Sequence, residues 1–243
     1  MMEFVSTYGV SVLQIVWIDL LLSGDNAIVI ALACRNLPED KRKLGMLLGA
    51  GVAIGLRIVF AVMISYLLGV PLLKLVGGVL LLWIGIKLAM GEEEAHESVE
   101  GSTQMWAAVR TIAIADAVMS LDNVLAISAA SHGNIYLFTF GLLLSIPLII
   151  FGSQIITSII ERFPIFIWLG AGLLGWIAGE MIVQDTLIVD WAKTAFPSLL
   201  GANKDVPGGI GPTQTVEYIA QAVGVLIVVG VAYVLRRQPT KVA

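Results

Sequence analysis

Long apolar runs dominate this chain, each about the length a helix needs to cross the hydrocarbon core of a bilayer. Seven can be drawn, over 10–33, 44–68, 71–90, 106–130, 134–159, 164–183 and 217–236. Inside hydrocarbon every backbone N–H and C=O must find a partner within the chain, so only helices and closed barrels span. Barrel strands alternate apolar and polar residues, whereas these blocks are continuous. Charge agrees: 13% of the 243 residues are charged, against roughly a quarter in a soluble domain. With 58% hydrophobic residues and a mean hydropathy of +0.93, most of the surface must face lipid. The expected architecture is an all-α polytopic membrane protein, one membrane domain over 1–243 with seven transmembrane helices.

The net charge of −4 matters less than where the charges sit. No basic patch points to nucleic acid. Cys34 is the single cysteine, which leaves no intrachain disulfide and no metal-site spacing; a free thiol at a helix end is expected. Met1-Met2-Glu3-Phe4 lacks the basic start of a cleavable signal, so the first run counts as a retained helix. With the linker Arg35–Lys43 in the cytoplasm, ten Lys and Arg residues near span ends lie on that side and only Lys74, Lys193 and Lys204 outside. The positive-inside rule then puts the N-terminus outside and the C-terminus in the cytoplasm of a cell (inner or plasma) membrane. The linker at 91–105, with His96 and its glutamates, is cytoplasmic; a solvated acidic linker is its first reading and a weak cation-collecting or sensing role its second. The 184–216 segment is an extracytoplasmic loop lying along the membrane surface through Trp191 and Phe196.

One polar pattern occurs twice inside apolar helices. Asp19, Ser23, Asp25 and Asn26 in span one match Asp116, Ser120, Asp122 and Asn123 in span four, as D-x3-S-x-D-N. Spans three and six repeat more weakly: Pro71, Gly77, Trp83 and Lys87 have the spacing of Pro164, Gly170, Trp176 and Glu180. The unit is three helices, 10–90 and 106–183, and an odd number forces the second copy in from the opposite face. That predicts two inverted three-helix repeats, an arrangement that places transporter binding sites near the midplane, plus one extra C-terminal helix over 217–236.

On a helix, Asp19, Ser23 and Asn26 share one face, as do Asp116, Ser120 and Asn123. Asp25 and Asp122 fall about a third of a turn away. They join that face if the helix loosens, for which Gly24 offers a place in the first copy only, or they meet where the two helices cross. Each aspartate costs about 2.5–3.5 kcal/mol at the bilayer centre, so four approach a domain's whole stability. Bound cations, protons or Arg57 must offset that, and one arginine cannot neutralise four carboxylates. Carboxylate, carboxamide and hydroxyl oxygens suit Mn²⁺, Mg²⁺ or Ca²⁺, while the absence of imidazole and thiolate argues against Cu⁺ and Zn²⁺. His132 reads as a loop residue. Ser23, Ser120 and the asparagines have a purely structural alternative, bonding neighbouring helices.

Arg57 lies mid-span in helix two and has no counterpart near Pro147 in span five. A structural ion pair with one aspartate is its first reading; occupying the acids when metal is absent is the second. Lys87 snorkels, and Glu180 is a pathway or an interfacial residue. Glycines such as Gly45, Gly49, Gly51, Gly55, Gly175 and Gly179 fall at small-x3-small spacings that favour close helix packing.

Through Ser23-Gly24-Asp25-Asn26-Ala27, Ser120-Leu121-Asp122-Asn123-Val124 and the seven-span layout, the chain resembles the TerC family of integral membrane proteins, particularly its short bacterial members. The resemblance implies membership of the LysE superfamily and export of Mn²⁺, with tellurite resistance as the historical label. It implies that Asp25, Asn26, Asp122 and Asn123 carry the metal site, with Asp19 and Asp116 in the same motif region. Plant thylakoid relatives are linked to membrane-protein integration, so an assembly or integration factor is one alternative; exporting another small solute is a second.

The expected function is therefore export of a divalent cation, Mn²⁺ first with Ca²⁺ or Mg²⁺ behind it, by alternating access with proton antiport. Ser23, Ser120, Arg57 and Glu180 support the site. No prosthetic group is expected. Neither is enzyme chemistry, since no Cys/His pair, HExxH or nucleophile–base arrangement is present.

Overall fold

The computed structural model describes residues 15–16, 24–67, 72–90, 101–130, 135–203, 206 and 209–236, with the side chains of 121–130 and of a few other helical residues outside that description. The helices are α1 (Gly24–Cys34), α2 (Glu39–Leu67), α3 (Leu73–Met90), α4 (Gly101–Ala130), α5 (Ile135–Arg162), α6 (Ile165–Val183), α7 (Thr186–Ala195) and α8 (Gln214–Arg236). Five of them, α2, α3, α5, α6 and α8, are long and apolar enough to cross a membrane. Their outward faces carry Val62, Phe151, Leu169 and Leu226, large apolar side chains more than half exposed. Such a surface is stable only against lipid. The chain is a multi-pass α-helical membrane protein.

Several expected boundaries move. Helix α2 begins at Glu39 rather than 44, because Pro38 offers its carbonyl to the Lys41 and Arg42 amides and opens the first turn. Lys41, Arg42 and Lys43 thus ride on the helix. Arg42 bonds Glu161 and the Arg35 and Leu37 carbonyls, tying down the α1–α2 turn. Helix α4 begins at Gly101, so the last five residues of the expected 91–105 linker are helical; 91–100, with His96, lie outside the described residues. Within 184–216 the described residues carry regular structure. Asp185 caps α7 by accepting from the Leu187 amide at 3.0 Å. A short 3₁₀ turn (Pro197–Leu199) follows, then an antiparallel pair, β1 (Leu200–Ala202) and β2 (Ile210–Pro212), with Gly201 opposite Gly211. The exposed rings of Trp191 and Phe196 stack edge-on, centroids 5.5 Å apart.

The chain divides into two compact units. The first holds α1, α2, α4 and α5. In it α2 packs on α4 and α5, and α1 on α4, α5 and α2. Ile30, Cys34, Met46, Met105, Ile112 and Ile149 form its apolar core; Cys34 is a free thiol at the end of α1, as expected, and it is buried.

The second unit holds α3, α6, α7, the β pair and α8, with α3, α6 and α8 in mutual contact. Its seams are lined by small residues. A methyl group added at Gly179 would collide with the Ala220 carbonyl, and one at Gly224 with the Gly175 carbonyl. Residues 93 apart in α3 and α6 take equivalent places: Gly77 and Gly170, Gly78 and Ala171, Leu81 and Leu174, Gly85 and Ala178, and Leu88 and Met181 are all buried. Trp83 and Trp176 both face outward.

Candidate cation site

Helices α2 and α4 bring an arginine and an acid of the repeated motif together inside the first unit. Arg57 donates from Nη2 to Asp116 Oδ1 at 2.7 Å and from Nε to Asp116 Oδ2 at 3.4 Å. The same Nε reaches Ser120 Oγ at 3.2 Å, while Ser120 donates to Asp116 Oδ2 at 2.8 Å. The Asp116–Ser120 contact is what i, i+4 spacing on a helix provides. Arg57 is 1% exposed, Asp116 3% and Ser120 not at all. A forked guanidinium–carboxylate pair of this kind supplies direction as well as charge. The structural ion pair expected of Arg57 is therefore present, and Asp116 is its partner.

Of the first copy, Asp25 and Asn26 are described, on α1, which packs on α2 and α4. Asp25, half-buried at the start of α1 as described, holds the Asn26 amide through Oδ1 at 2.8 Å. It stands within electrostatic reach of both Arg57 and Asp116. The Asn26 side chain is only 4% exposed, and among the described residues neither its Nδ2 nor its Oδ1 has a hydrogen-bond partner. Leaving a buried carboxamide unpaired costs about 1–3 kcal/mol for each unsatisfied group.

Other expected site residues fall elsewhere. Asp19 and Ser23 lie outside the described residues, as does His132. Asp122 and Asn123 sit on α4 just beyond Ser120, their side chains outside the description. Among the described residues, no three His, Cys, Asp or Glu side chains group closely enough to hold a metal by themselves. Any site here must use carboxamide and hydroxyl oxygens, or carboxylates of the undescribed residues, beside Asp25. Glu180, expected to support this site, takes its partners in the second unit instead.

There a second polar cluster forms that the sequence reading passed over. Gln221 of α8 donates to Glu180 Oε2 at 2.7 Å, and Gln184, which ends α6, donates to Glu217 Oε1 at 2.8 Å. Gln184 also reaches Glu180 Oε1 at 3.3 Å, and Asn203 donates to Glu217 Oε1 at 2.8 Å. The signal was present: Glu180–Gln184 and Glu217–Gln221 are both E-x3-Q, the spacing that sets an acid and an amide on one helix face.

Sequence comparison places this geometry among known chains. The family model described as "Integral membrane protein TerC family" matches residues 4–240. The uncharacterized membrane protein YjbE of Bacillus subtilis is 46% identical over 178 residues, 73% of this chain and 81% of the relative. YkoY of the same organism is 30% identical over 49% of this chain and 38% of its own length. The UPF0053 inner membrane protein YoaE of Escherichia coli is 24% identical over 75% of this chain, which spans 39% of that longer protein. No solved structure matches.

Proposed function

The chain belongs to the TerC family of integral membrane proteins, and on that premise we propose that it exports a divalent cation, Mn²⁺ first, in exchange for protons. The carrying observation is the Asn26 carboxamide, buried and unpaired beside Asp25, within the field of an arginine that occupies Asp116. In the cation-free state Arg57 is the resident positive charge. An incoming cation takes Asp25 and Asn26 from the first motif, and Asp122 and Asn123 from the second. Asp116 and Ser120 hold the guanidinium aside, and Asp19 and Ser23 complete the approach. Oxygen ligands of this kind suit Mn²⁺, Mg²⁺ and Ca²⁺; manganese is the cargo the family resemblance implies. Once the cation leaves, its carboxylates take up protons, which couples export to proton entry.

Alternating access needs two states related by exchange of the repeats. In the second unit α3 and α6 both pack on α8, as an exchange of those two helices requires. The proposed layout is seven spans, two inverted three-helix repeats and α8, in a cell membrane. Its N-terminus is outside, consistent with the Lys and Arg distribution. A cavity of about 480 Å³ between α2 and α5, lined by Glu39, Asp40, Arg42, Lys43 and Glu161 among others, serves as the cytoplasmic vestibule.

The test is cellular. Asp25→Ala or Asp122→Ala, at normal protein levels, raises intracellular manganese under manganese load. Unchanged accumulation and tolerance in both variants removes the site assignment.

A further inference from the structure

The four residues of the second cluster clasp one another across two helices. Helices α6 and α8 run antiparallel at their closest approach, since Gly175 meets Gly224 while Gly179 meets Ala220. That places the end of α6 beside the start of α8, and each glutamine donates to the other helix's glutamate. Gln184 Nε2 touches both carboxylates, so Glu180 and Glu217 lie side by side.

From this arrangement we propose a second divalent-cation site, separate from the Asp-Asn motifs, built from the carboxylates of Glu180 and Glu217 and the Gln221 carboxamide oxygen. Acceptors outnumber donors in the cluster. The Gln221 side chain is 6% exposed; its nitrogen is committed to Glu180, and its Oε1 is buried with no partner among the described residues. A buried acceptor left open beside a carboxylate is satisfied by a cation, not by another acceptor. Charge is also out of balance. Among the described residues the cluster holds three carboxylates, Asp185, Glu180 and Glu217, and one ammonium, that of Lys74, which donates to Gln184 Oε1 at 3.2 Å. Asp185 is committed to the Leu75 and Leu187 amides at 3.1 and 3.0 Å. The carboxamides that hold the two glutamates carry no charge. Position sharpens the imbalance, because Glu180 sits in the last turn of α6, where the helix dipole is itself negative. Hard oxygen donors in this number fit Ca²⁺ or Mn²⁺, whose bonds of about 2.1–2.6 Å are spanned by side-by-side carboxylates.

The fold supplies a reporter. Trp176, one turn before Glu180, and Tyr218, next to Glu217, have ring centroids 6.3 Å apart. The detergent-solubilised full chain is titrated with Tb³⁺, with indole excitation and terbium emission recorded, and with Ca²⁺ as competitor. The expected result is saturable emission that Ca²⁺ displaces. Glu180→Gln and Glu217→Gln each weaken terbium affinity by tenfold or more, and Gln221→Leu weakens it with both acids intact. Trp176→Phe dims the emission without moving the midpoint. Asp25→Asn leaves the titration unchanged, which separates this site from the motif site. Absence of saturable emission from the wild type overturns the proposal, whatever the variants do. So does emission that survives both glutamate substitutions in protein of unchanged melting temperature, or that vanishes in Asp25→Asn.

Discussion

Arg57 Nη2 lies 2.7 Å from Asp116 Oδ1, and neither side chain is more than a few per cent exposed. Both charges are buried, so removing one strips the other of its forked partner. Arg57→Met is expected to lower stability by about 3–5 kcal/mol. Adding Asp116→Asn recovers most of the loss. Thermal unfolding in detergent measures both. If Arg57 stands in for the cargo, millimolar Mn²⁺ raises the melting temperature of Arg57→Met more than that of the wild type. Equal shifts contradict that role.

Asn26 makes the opposite prediction. Its carboxamide is buried without partners, so Asn26→Leu, similar in volume, leaves stability unchanged or raises it by up to about 1–2 kcal/mol. Transport falls more than tenfold in the same variant. A substitution that stabilises the fold while abolishing flux marks a ligand-facing group; loss of both together marks a structural one.

The glycines separate into two kinds. Gly179 has the Ala220 carbonyl where its Cβ would stand, whereas Gly51 and Gly55 have nothing nearby. Gly179→Ala forces α6 and α8 apart and is expected to destabilise by about 1–3 kcal/mol. Gly51→Ala and Gly55→Ala are neutral or stabilise by about 0.5–1 kcal/mol, through better helix propensity. Melting temperatures of the three variants check the contrast.

Orientation is open to a direct test, helped by the burial of the only native thiol, Cys34. In intact cells a membrane-impermeant maleimide labels Lys193→Cys, on the exposed side of α7, and spares Lys43→Cys, at the start of α2. The reverse pattern inverts the proposed topology.

Some of this was legible in the residues because it depends on local spacing. The i, i+4 interval joined Ser120 to Asp116, and the 93-residue offset matched the buried small residues of α3 and α6. Apolar length found five helices able to span but not their ends, because Pro38 and the Arg42–Glu161 contact extend α2 into what reads as a charged linker. Composition hid the structure of 184–213, where the Asp185 cap and one antiparallel pair order a Gly- and Pro-bearing segment. Nor does sequence say which acid Arg57 selects. That follows from how α2 packs on α4, a long-range contact with no local signal. The partners of Glu180 carry little signal of their own, since Gln184 and Gln221 are individually ordinary beside the duplicated aspartates.

Flux itself is the decisive measurement. Purified protein in liposomes is loaded with Mn²⁺, Mg²⁺ or Ca²⁺ in turn, and efflux is followed with and without an imposed pH gradient. Proton-driven Mn²⁺ efflux, lost in Asp25→Asn at equal reconstitution, is the predicted result. Mn²⁺ movement indistinguishable from empty liposomes contradicts cation export and leaves membrane-protein assembly as the better reading of this family member.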